Sequence, residues 1–288
     1  MQQVCRQERR CFETRRKSPA VLGCDISQLT KLECKMNMCR TISYFSLVVA
    51  AWTAFAVNAR SAELTAKTAV LVHGAFADGS SWQKVIPILV DAGLKVVAVQ
   101  NPTDSLENDV AFTKRIIKEV EGPVVLIGHS WGGVVITEAG NDPKVRSLVY
   151  AAAYAPDSGQ SLKDHISKYP PAEGRKGFLK DGEGFLRLSD DGVAKYFAPD
   201  LSPEEQKVVA AVQGRYHERT FTAPVSKAAW RDKPTFIVIS MEDKIIAPQM
   251  QKDQAALAKA TAIEVPSSHV VMLSHPKEVA EHILRAAK

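Results

Sequence analysis

The chain has 288 residues, 45% of them hydrophobic and 24% charged, so it can bury a substantial core. Its formal net charge is +5, and residues 1–40 account for this charge with nine Lys or Arg against four Asp or Glu. The other 248 residues hold 28 charges of each sign, which excludes the basic footprint of a nucleic-acid-binding domain.

Residues 1–62 have the composition of a basic extension followed by a targeting segment. The 19 residues 41–59 carry no charge, follow the positive side chains of Lys35 and Arg40, and end in small residues. This order is typical of a secretory signal peptide at about residues 36–59, so we expect a periplasmic or secreted protein, with an uncleaved membrane anchor as the alternative. Residues 1–35 do not fit a signal peptide: either translation starts at Met36 or Met38, which we favour, or they form a disordered tail.

The cysteines all lie in this N-terminal part. None of their spacings is Cys-x-x-Cys and none has a neighbouring histidine, so no metal site is predicted there. The five are Cys5, Cys11, Cys24, Cys34 and Cys39.

From residue 68 onwards, apolar strand-like runs alternate with helical patterns, as a doubly wound α/β sheet requires. The predicted strands are Thr68–Val72, Leu94–Gln100, Pro123–Ile127, Val145–Ala153, Pro234–Ser240 and Ala262–Pro266. The predicted helices are Ser81–Ala92, Leu106–Val120, Val134–Ala139, Pro203–Val212, and a last helix with Ser274 as its cap and Pro276 in its first turn.

The alternation breaks at Pro156. Residues 157–232 are polar and rich in proline, and we interpret them as a small cap inserted above the ends of the strands. The charged run 215–219 is expected to be a solvated turn, with binding of an anionic substrate as the alternative. Aromatic side chains of the cap either line a substrate pocket or, as is more usual, pack within the cap. They are Phe178, Phe185, Tyr196, Phe197, Tyr216 and Phe221.

A Gly-x-Ser-x-Gly motif lies between the third predicted strand and the helix that follows it. Its sequence is Gly128-His129-Ser130-Trp131-Gly132, and a strand-turn-helix setting is what a nucleophile elbow requires. A serine hydroxyl is a weak nucleophile, so it needs a sharp exposed turn, a neighbouring base and N–H donors for the developing oxyanion. Ser130 is therefore the candidate nucleophile.

Two backbone amides are candidates for the oxyanion hole. The N–H of Trp131 directly follows the nucleophile, and the N–H of Ala75 follows the turn that His73 and Gly74 make after the first strand. Phe76 is the alternative to Ala75. His73, at a strand end before glycine, is expected to be structural rather than a catalytic base.

An acid and a base follow later strands. Asp243 and the competing Glu242 come after the strand 234–240, and His269 comes after the strand 262–266 with apolar residues behind it. His275, beside the predicted last helix, is expected to be structural. The order Ser130, Asp243, His269 is that of the α/β hydrolases rather than of chymotrypsin-like or subtilisin-like proteases.

The stretches LVHGAFADGSSW, VVLIGHSWGG and SSHVVMLSHP resemble the α/β-hydrolase superfamily, in its compact bacterial branch similar to plant methylesterases and hydroxynitrile lyases. The resemblance runs from Thr68 to the C-terminus. It implies an open, mostly parallel sheet flanked by helices, a Ser-Asp-His triad, acyl-transfer chemistry and no cofactor. The lyases have a lysine where this chain has Val270 and a threonine where it has Gly74, so lyase activity is not expected.

Together these features predict that residues 63–288 are a catalytic domain with a cap at about 157–232. We expect a serine hydrolase that cleaves a small carboxylic ester through an acyl-enzyme, with Ser130 as nucleophile, His269 as base and Asp243 as orienting acid. The alternatives are an acyltransferase or perhydrolase on the same triad, or a catalytically idle ligand-binding scaffold. The expected partner is a small ester, with no nucleic acid and with membrane contact only through the N-terminal segment.

Overall fold

The computed structural model of the protein describes residues 63–288, so the predicted extension and targeting segment lie outside the described residues. The strands are β1 Thr68–Val72, β2 Lys95–Val99, β3 Val124–Ser130, β4 Val145–Ala153, β5 Phe178–Lys180, β6 Phe185–Leu188, β7 Tyr216–His217, β8 Thr235–Ser240 and β9 Thr261–Val265. Six of them form a central parallel sheet with the order β2-β1-β3-β4-β8-β9. A separate three-stranded antiparallel sheet, β5-β6-β7, lies between β4 and β8 in the chain.

Helices fill most of the connections between the parallel strands. The α-helices are α1 Ile86–Asp91, α2 Leu106–Glu119, α3 Trp131–Ala139, α4 Leu162–Ile166, α5 Asp190–Gly192, α6 Pro203–Val212, α7 Pro248–Leu257, α8 Val271–Ser274 and α9 Pro276–Ala286. Shorter turns of 3-10 helix are Gly79–Trp82, Glu173–Gly177, Glu218–Thr222 and Ala229–Arg231, and α5 continues into a π-helical turn, Val193–Phe197. The predicted open, mostly parallel sheet flanked by helices is confirmed. Of the helices described, none is long and apolar enough to cross a membrane.

The central strands bring the candidate site residues to one edge of the sheet. Every residue of β1 and β3 is buried, as expected of parallel strands covered on both faces. The end of β1 lies beside Gly128, because Val72 is its register partner, and β3 ends at Ser130 next to Ala153 of β4. Since β8 and β9 are also parallel to these strands, the loops after β1, β3, β8 and β9 meet at the same edge.

Two local predictions are corrected by the structure, and one helix was missed. The helix predicted at 81–92 begins only at Ile86, because a 3-10 turn capped by Asp78 precedes it and Pro87, which lacks an N–H, lies in its first turn. Ser274 ends α8 instead of capping α9, whose cap position is His275. Helix α7 was not predicted, because its buried side chains include the polar Gln251 and Gln254.

The segment between β4 and β8 contains more structure than its sequence pattern indicates. The predicted helix 203–212 is present as α6, but the antiparallel sheet was not predicted. Strands of two to four residues are too short to show an alternation of polar and apolar side chains. We call residues 154–234 the cap segment below.

Candidate active site

Ser130 lies on a strained turn between β3 and α3. Its backbone has φ 52° and ψ −121°, a conformation that L-residues adopt only when the surrounding structure imposes it. Gly128 is required on the approach to this turn, because a Cβ there would lie 2.5 Å from the carbonyl oxygen of Gly132. The seryl side chain lines a cavity although the residue is only 4% exposed. The turn thus presents a buried hydroxyl to an internal space.

Asp243 and His269 form a buried pair beside Ser130. His269 Nδ1 lies 2.8 Å from Asp243 Oδ2, and neither side chain is exposed to solvent. The carboxylate also accepts hydrogen bonds from the amides of Ile245 (2.8 Å) and Ile246 (2.9 Å) and from Gln251 Nε2 (3.0 Å). These donors leave the carboxylate fixed as an acceptor, so Nδ1–H of His269 donates to it and Nε2 is the nitrogen left for another partner. Sequence reasoning missed Gln251, because a glutamine eight residues beyond a candidate acid carries no motif.

The other ring nitrogen of His269 makes no hydrogen bond within the described residues. Nε2 of His269 is buried and has no hydrogen-bond partner among the described residues, and His269 lines the same cavity as Ser130. The hydrogen bond between Nε2 and the seryl hydroxyl is not formed in this structure. Such bonds are commonly long before substrate is bound.

The two rival side chains lie elsewhere. Glu242 is exposed, and its carboxylate has no ion-pair partner in the described part of the chain, whereas its backbone amide donates to the Ser267 carbonyl. His275 contacts the hydroxyl of Ser274 at the start of α9. The structure therefore brings Asp243, and not Glu242, to His269.

The loop after β1 packs directly against the nucleophile turn. A Cβ on Gly74 would lie 2.6 Å from the Cβ of Ser130, so glycine permits this contact. The next residues, Ala75 and Phe76, line the cavity, and their amides donate to no described acceptor. Trp131 opens α3, where the first amides of a helix have no intrahelical acceptor. Both oxyanion candidates from this loop thus remain available, together with Trp131.

Two further histidines hold the backbone around the site. His73 Nε2 accepts from the Asn101 amide at 2.9 Å, so its Nδ1–H donates to the Gly74 carbonyl, also at 2.9 Å, and burial lowers its pKa. His129, inside the motif, donates from Nε2 to the carbonyl of His269 at 2.9 Å, and burial lowers its pKa well below the usual range. Sequence reasoning missed this role of His129. Both rings are neutral and anchor loops.

The cavity beside Ser130 has a volume of about 1060 Å³ and extends under the cap segment. Four of the six aromatic candidates line it: Phe178, Phe197, Tyr216 and Phe221. The other two do not, because Phe185 packs against His217 with ring centroids 4.7 Å apart, and Tyr196 lies near Lys244 outside the cavity.

The charged run 215–219 is held by ion pairs within the protein. Arg219 pairs with Asp104 at 3.1 Å, and Glu218 pairs with Lys180 at 2.7 Å. These side chains are 48–55% exposed except for Asp104, which fits a solvated turn at the mouth of the cavity. Within residues 63–288, no group of three His, Cys, Asp or Glu side chains could hold a metal ion.

Comparison with known proteins agrees with this architecture. Residues 69–282 match the Alpha/beta hydrolase family. Salicylic acid-binding protein 2 of Nicotiana tabacum is 27% identical over 255 residues, which covers 76% of this chain and 96% of that protein. Alpha-hydroxynitrile lyase of Arabidopsis thaliana is 25% identical over 258 residues, covering 73% and 93%.

A solved structure shows the same fold. The crystal structure of polyneuridine aldehyde esterase superposes with a TM-score of 0.69 at 23% identity and covers 77% of this chain and 100% of its own. Further relatives are named as esterases or hydrolases, and the predicted resemblance to plant methylesterases is confirmed. The chain therefore belongs to the alpha/beta hydrolase family.

Proposed function

We propose that this protein hydrolyses a small carboxylic ester through an acyl-enzyme on Ser130, with His269 as general base and Asp243 as orienting acid. The observation that carries the proposal is the fully buried pair of Asp243 and His269, in which Nε2 of His269 has no partner among the described residues and His269 lines the same cavity as the strained Ser130. A scaffold that only binds ligands has no need for this combination of a strained serine, an unpartnered base and a buried carboxylate.

The first half of the reaction forms the acyl-enzyme. The Ser130 hydroxyl oxygen attacks the carbonyl carbon of the ester while His269 Nε2 takes its proton, and the negative oxygen is held by the N–H of Trp131 and an N–H of Ala75 or Phe76. The bond to the alcohol oxygen then breaks as His269 returns the proton to the departing alcohol. The hydrogen bond from Nδ1 to Asp243 stabilises the imidazolium in both transfers.

The second half releases the acid. A water molecule gives a proton to the same Nε2 and attacks the acyl carbon, and the bond to Ser130 breaks with return of the proton to the seryl oxygen. The aromatic lining and the volume of about 1060 Å³ favour an ester with an apolar acyl or alcohol group.

The test is hydrolysis of p-nitrophenyl esters of increasing acyl length by the full-length protein and by Ser130→Ala. The variant should lose on the order of 10⁴ or more in turnover, because only binding and oxyanion contacts remain. A serine-directed fluorophosphonate should label the wild type at Ser130. Ser226→Ala is the matched control, because its hydroxyl is exposed and binds Glu138. Equal rates in Ser130→Ala and wild type would refute the mechanism.

A further inference from the structure

Asp109 is a buried carboxylate that the proposed mechanism does not use. It lies on α2 with no exposed surface and has no cationic partner within 4 Å among the described residues. Its two oxygens have separate partners: Oδ2 accepts from the indole Nε1 of Trp131 at 2.7 Å, and Oδ1 accepts from the amide of Thr103 at 2.8 Å. Burying a carboxylate without a cation is costly, and here burial raises the pKa of Asp109 to about 6.

The first partner belongs to the nucleophile turn. Trp131 follows Ser130 directly, and its amide is a candidate oxyanion donor. Its indole is 1% exposed, lines the cavity, and packs against the ring of Tyr216 with centroids 5.4 Å apart. A hydrogen bond to Nε1 therefore fixes the orientation of a residue that serves the site with both its backbone and its side chain.

The second partner attaches the cap segment. Thr103 is β-branched yet has φ 55°, a strained conformation that its neighbours must impose. Its carbonyl accepts from the His217 amide at 3.0 Å, and its hydroxyl donates to the Arg215 carbonyl. Since residues 215–217 include strand β7, the turn at Thr103 holds the strand that carries Tyr216.

We propose that Asp109 is a positioning residue for ester hydrolysis, whose carboxylate links the nucleophile turn at Trp131 to the cap strand through Thr103. The inference rests on the proposed function and adds a residue that does not touch the reacting atoms. Trp131 and Thr103 donate to the same carboxylate. The nucleophile turn and the strand that carries Tyr216 are therefore held at a fixed distance and orientation.

An amide cannot replace this carboxylate. An ionised Asp109 offers an acceptor at each oxygen, whereas asparagine offers one oxygen and turns its NH₂ group towards the other N–H donor. Asp109→Asn therefore leaves either Trp131 or Thr103 without a partner. In the double variant Asp109→Asn/Trp131→Phe the amide oxygen can face Thr103 while the NH₂ group faces a phenyl ring, so the conflict is removed.

The experiment measures kcat and KM of the full-length wild type, Asp109→Asn, Trp131→Phe and the double variant, with p-nitrophenyl acetate and a longer ester. We expect kcat for acetate to fall by about 5- to 150-fold in Asp109→Asn, because one of the two N–H donors loses its acceptor and the nucleophile turn is no longer held to the cap strand. KM for acetate should change little, and the double variant should recover part of the loss. Glu107→Gln, an exposed charge removal in the same helix turn, is the matched control.

Thermal unfolding of each variant separates positioning from folding. If Asp109→Asn unfolds at lower temperature but its folded fraction keeps the wild-type kcat, the residue is only structural and the inference is wrong. If Asp109→Asn does not fold, Trp131→Phe breaks the same link from the other side, and a wild-type kcat in that variant also overturns the inference. A wild type that neither hydrolyses these esters nor reacts with the phosphonate would overturn the proposed function, and this inference with it.

Discussion

Replacing Asp243 by asparagine should abolish most activity by changing which nitrogen of His269 carries the proton. The carboxylate accepts four hydrogen bonds, two at Oδ1 from the amides of Ile245 and Ile246 and two at Oδ2 from Gln251 and His269. An asparagine that keeps its oxygen towards the two amides presents its NH₂ group to two donors. His269 relieves this conflict by accepting at Nδ1, which places its proton on Nε2.

A histidine protonated at Nε2 cannot accept the proton of the Ser130 hydroxyl. In a related triad the same substitution lowers turnover by about 10⁴, which corresponds to about 5.4 kcal/mol of transition-state stabilisation. Because Asp243 and His269 are fully buried, solvent cannot replace the lost contact. We expect a loss of similar size in kcat/KM here.

The assay compares kcat/KM for p-nitrophenyl acetate in Asp243→Asn and in Glu242→Gln, with circular dichroism as the check on folding. Glu242→Gln is a matched control, because it removes an adjacent exposed carboxylate. It should keep activity within a few-fold of the wild type. A large loss in Glu242→Gln with a small one in Asp243→Asn would refute the assignment of the acid, and two small losses would refute a role for either carboxylate.

Three further results are expected. Phe221→Ala enlarges the cavity, so it should shift the preferred ester length and change relative kcat/KM between esters by about 10- to 200-fold. Phe185→Ala is the control, because Phe185 lies outside the cavity and its removal should leave the preferred ester length unchanged. Equal shifts in both variants would contradict the cavity lining described above. Because burial raises the pKa of Asp109 from 3.8 to about 6, the part of the folding stability that is linked to its protonation is full below pH 4 and is lost as the pH rises through 6. The unfolding free energy of wild type minus that of Asp109→Asn should therefore fall by about 2 to 3 kcal/mol over this interval in denaturant titrations, and a flat difference would contradict the raised pKa. Protein exported by its native host should begin near Arg60 on N-terminal sequencing, as a signal peptide at residues 36–59 predicts; a soluble product that retains Met1 would argue against export, and an intact one in the membrane fraction would favour the anchor.

The sequence was sufficient to predict strands and helices where the burial of each residue follows from its neighbours in the chain. Strands β1 and β4 lie at the predicted residues, because long apolar runs between turns have one plausible place in a parallel sheet. Helix α7 was not predicted, because two of its buried residues are polar glutamines. Gln251 is buried because it binds Asp243 and the Ser240 amide, and Gln254 because it binds Ala155 and His165. Long-range partners of this kind leave no local pattern.

The same limit explains why the cap aromatics could not be sorted from the sequence. Phe178 in β5 and Phe185 in β6 lie in short antiparallel strands, where one residue of register moves a ring from one face to the other. The structure places Phe178 against Phe76 of the loop after β1 and Phe185 against His217. From composition alone, the same is expected of both rings, namely that each lines a substrate pocket or packs within the cap.

The cap segment is not independent of the chemistry, contrary to a simple division between a catalytic sheet and a selective cap. Phe76, beside the candidate oxyanion donor Ala75, packs against Phe178 with ring centroids 5.0 Å apart and against Tyr216 at 5.9 Å. Phe197 also contacts the ring of His269, with centroids 5.1 Å apart. Removing Phe197 or Phe178 would therefore disturb His269 or the loop after β1 together with the cavity. Phe221 packs on Tyr216 with ring centroids 5.5 Å apart and, within the described residues, makes no ring contact with His269 or Phe76, so its removal should report on substrate selection with the least effect on catalysis.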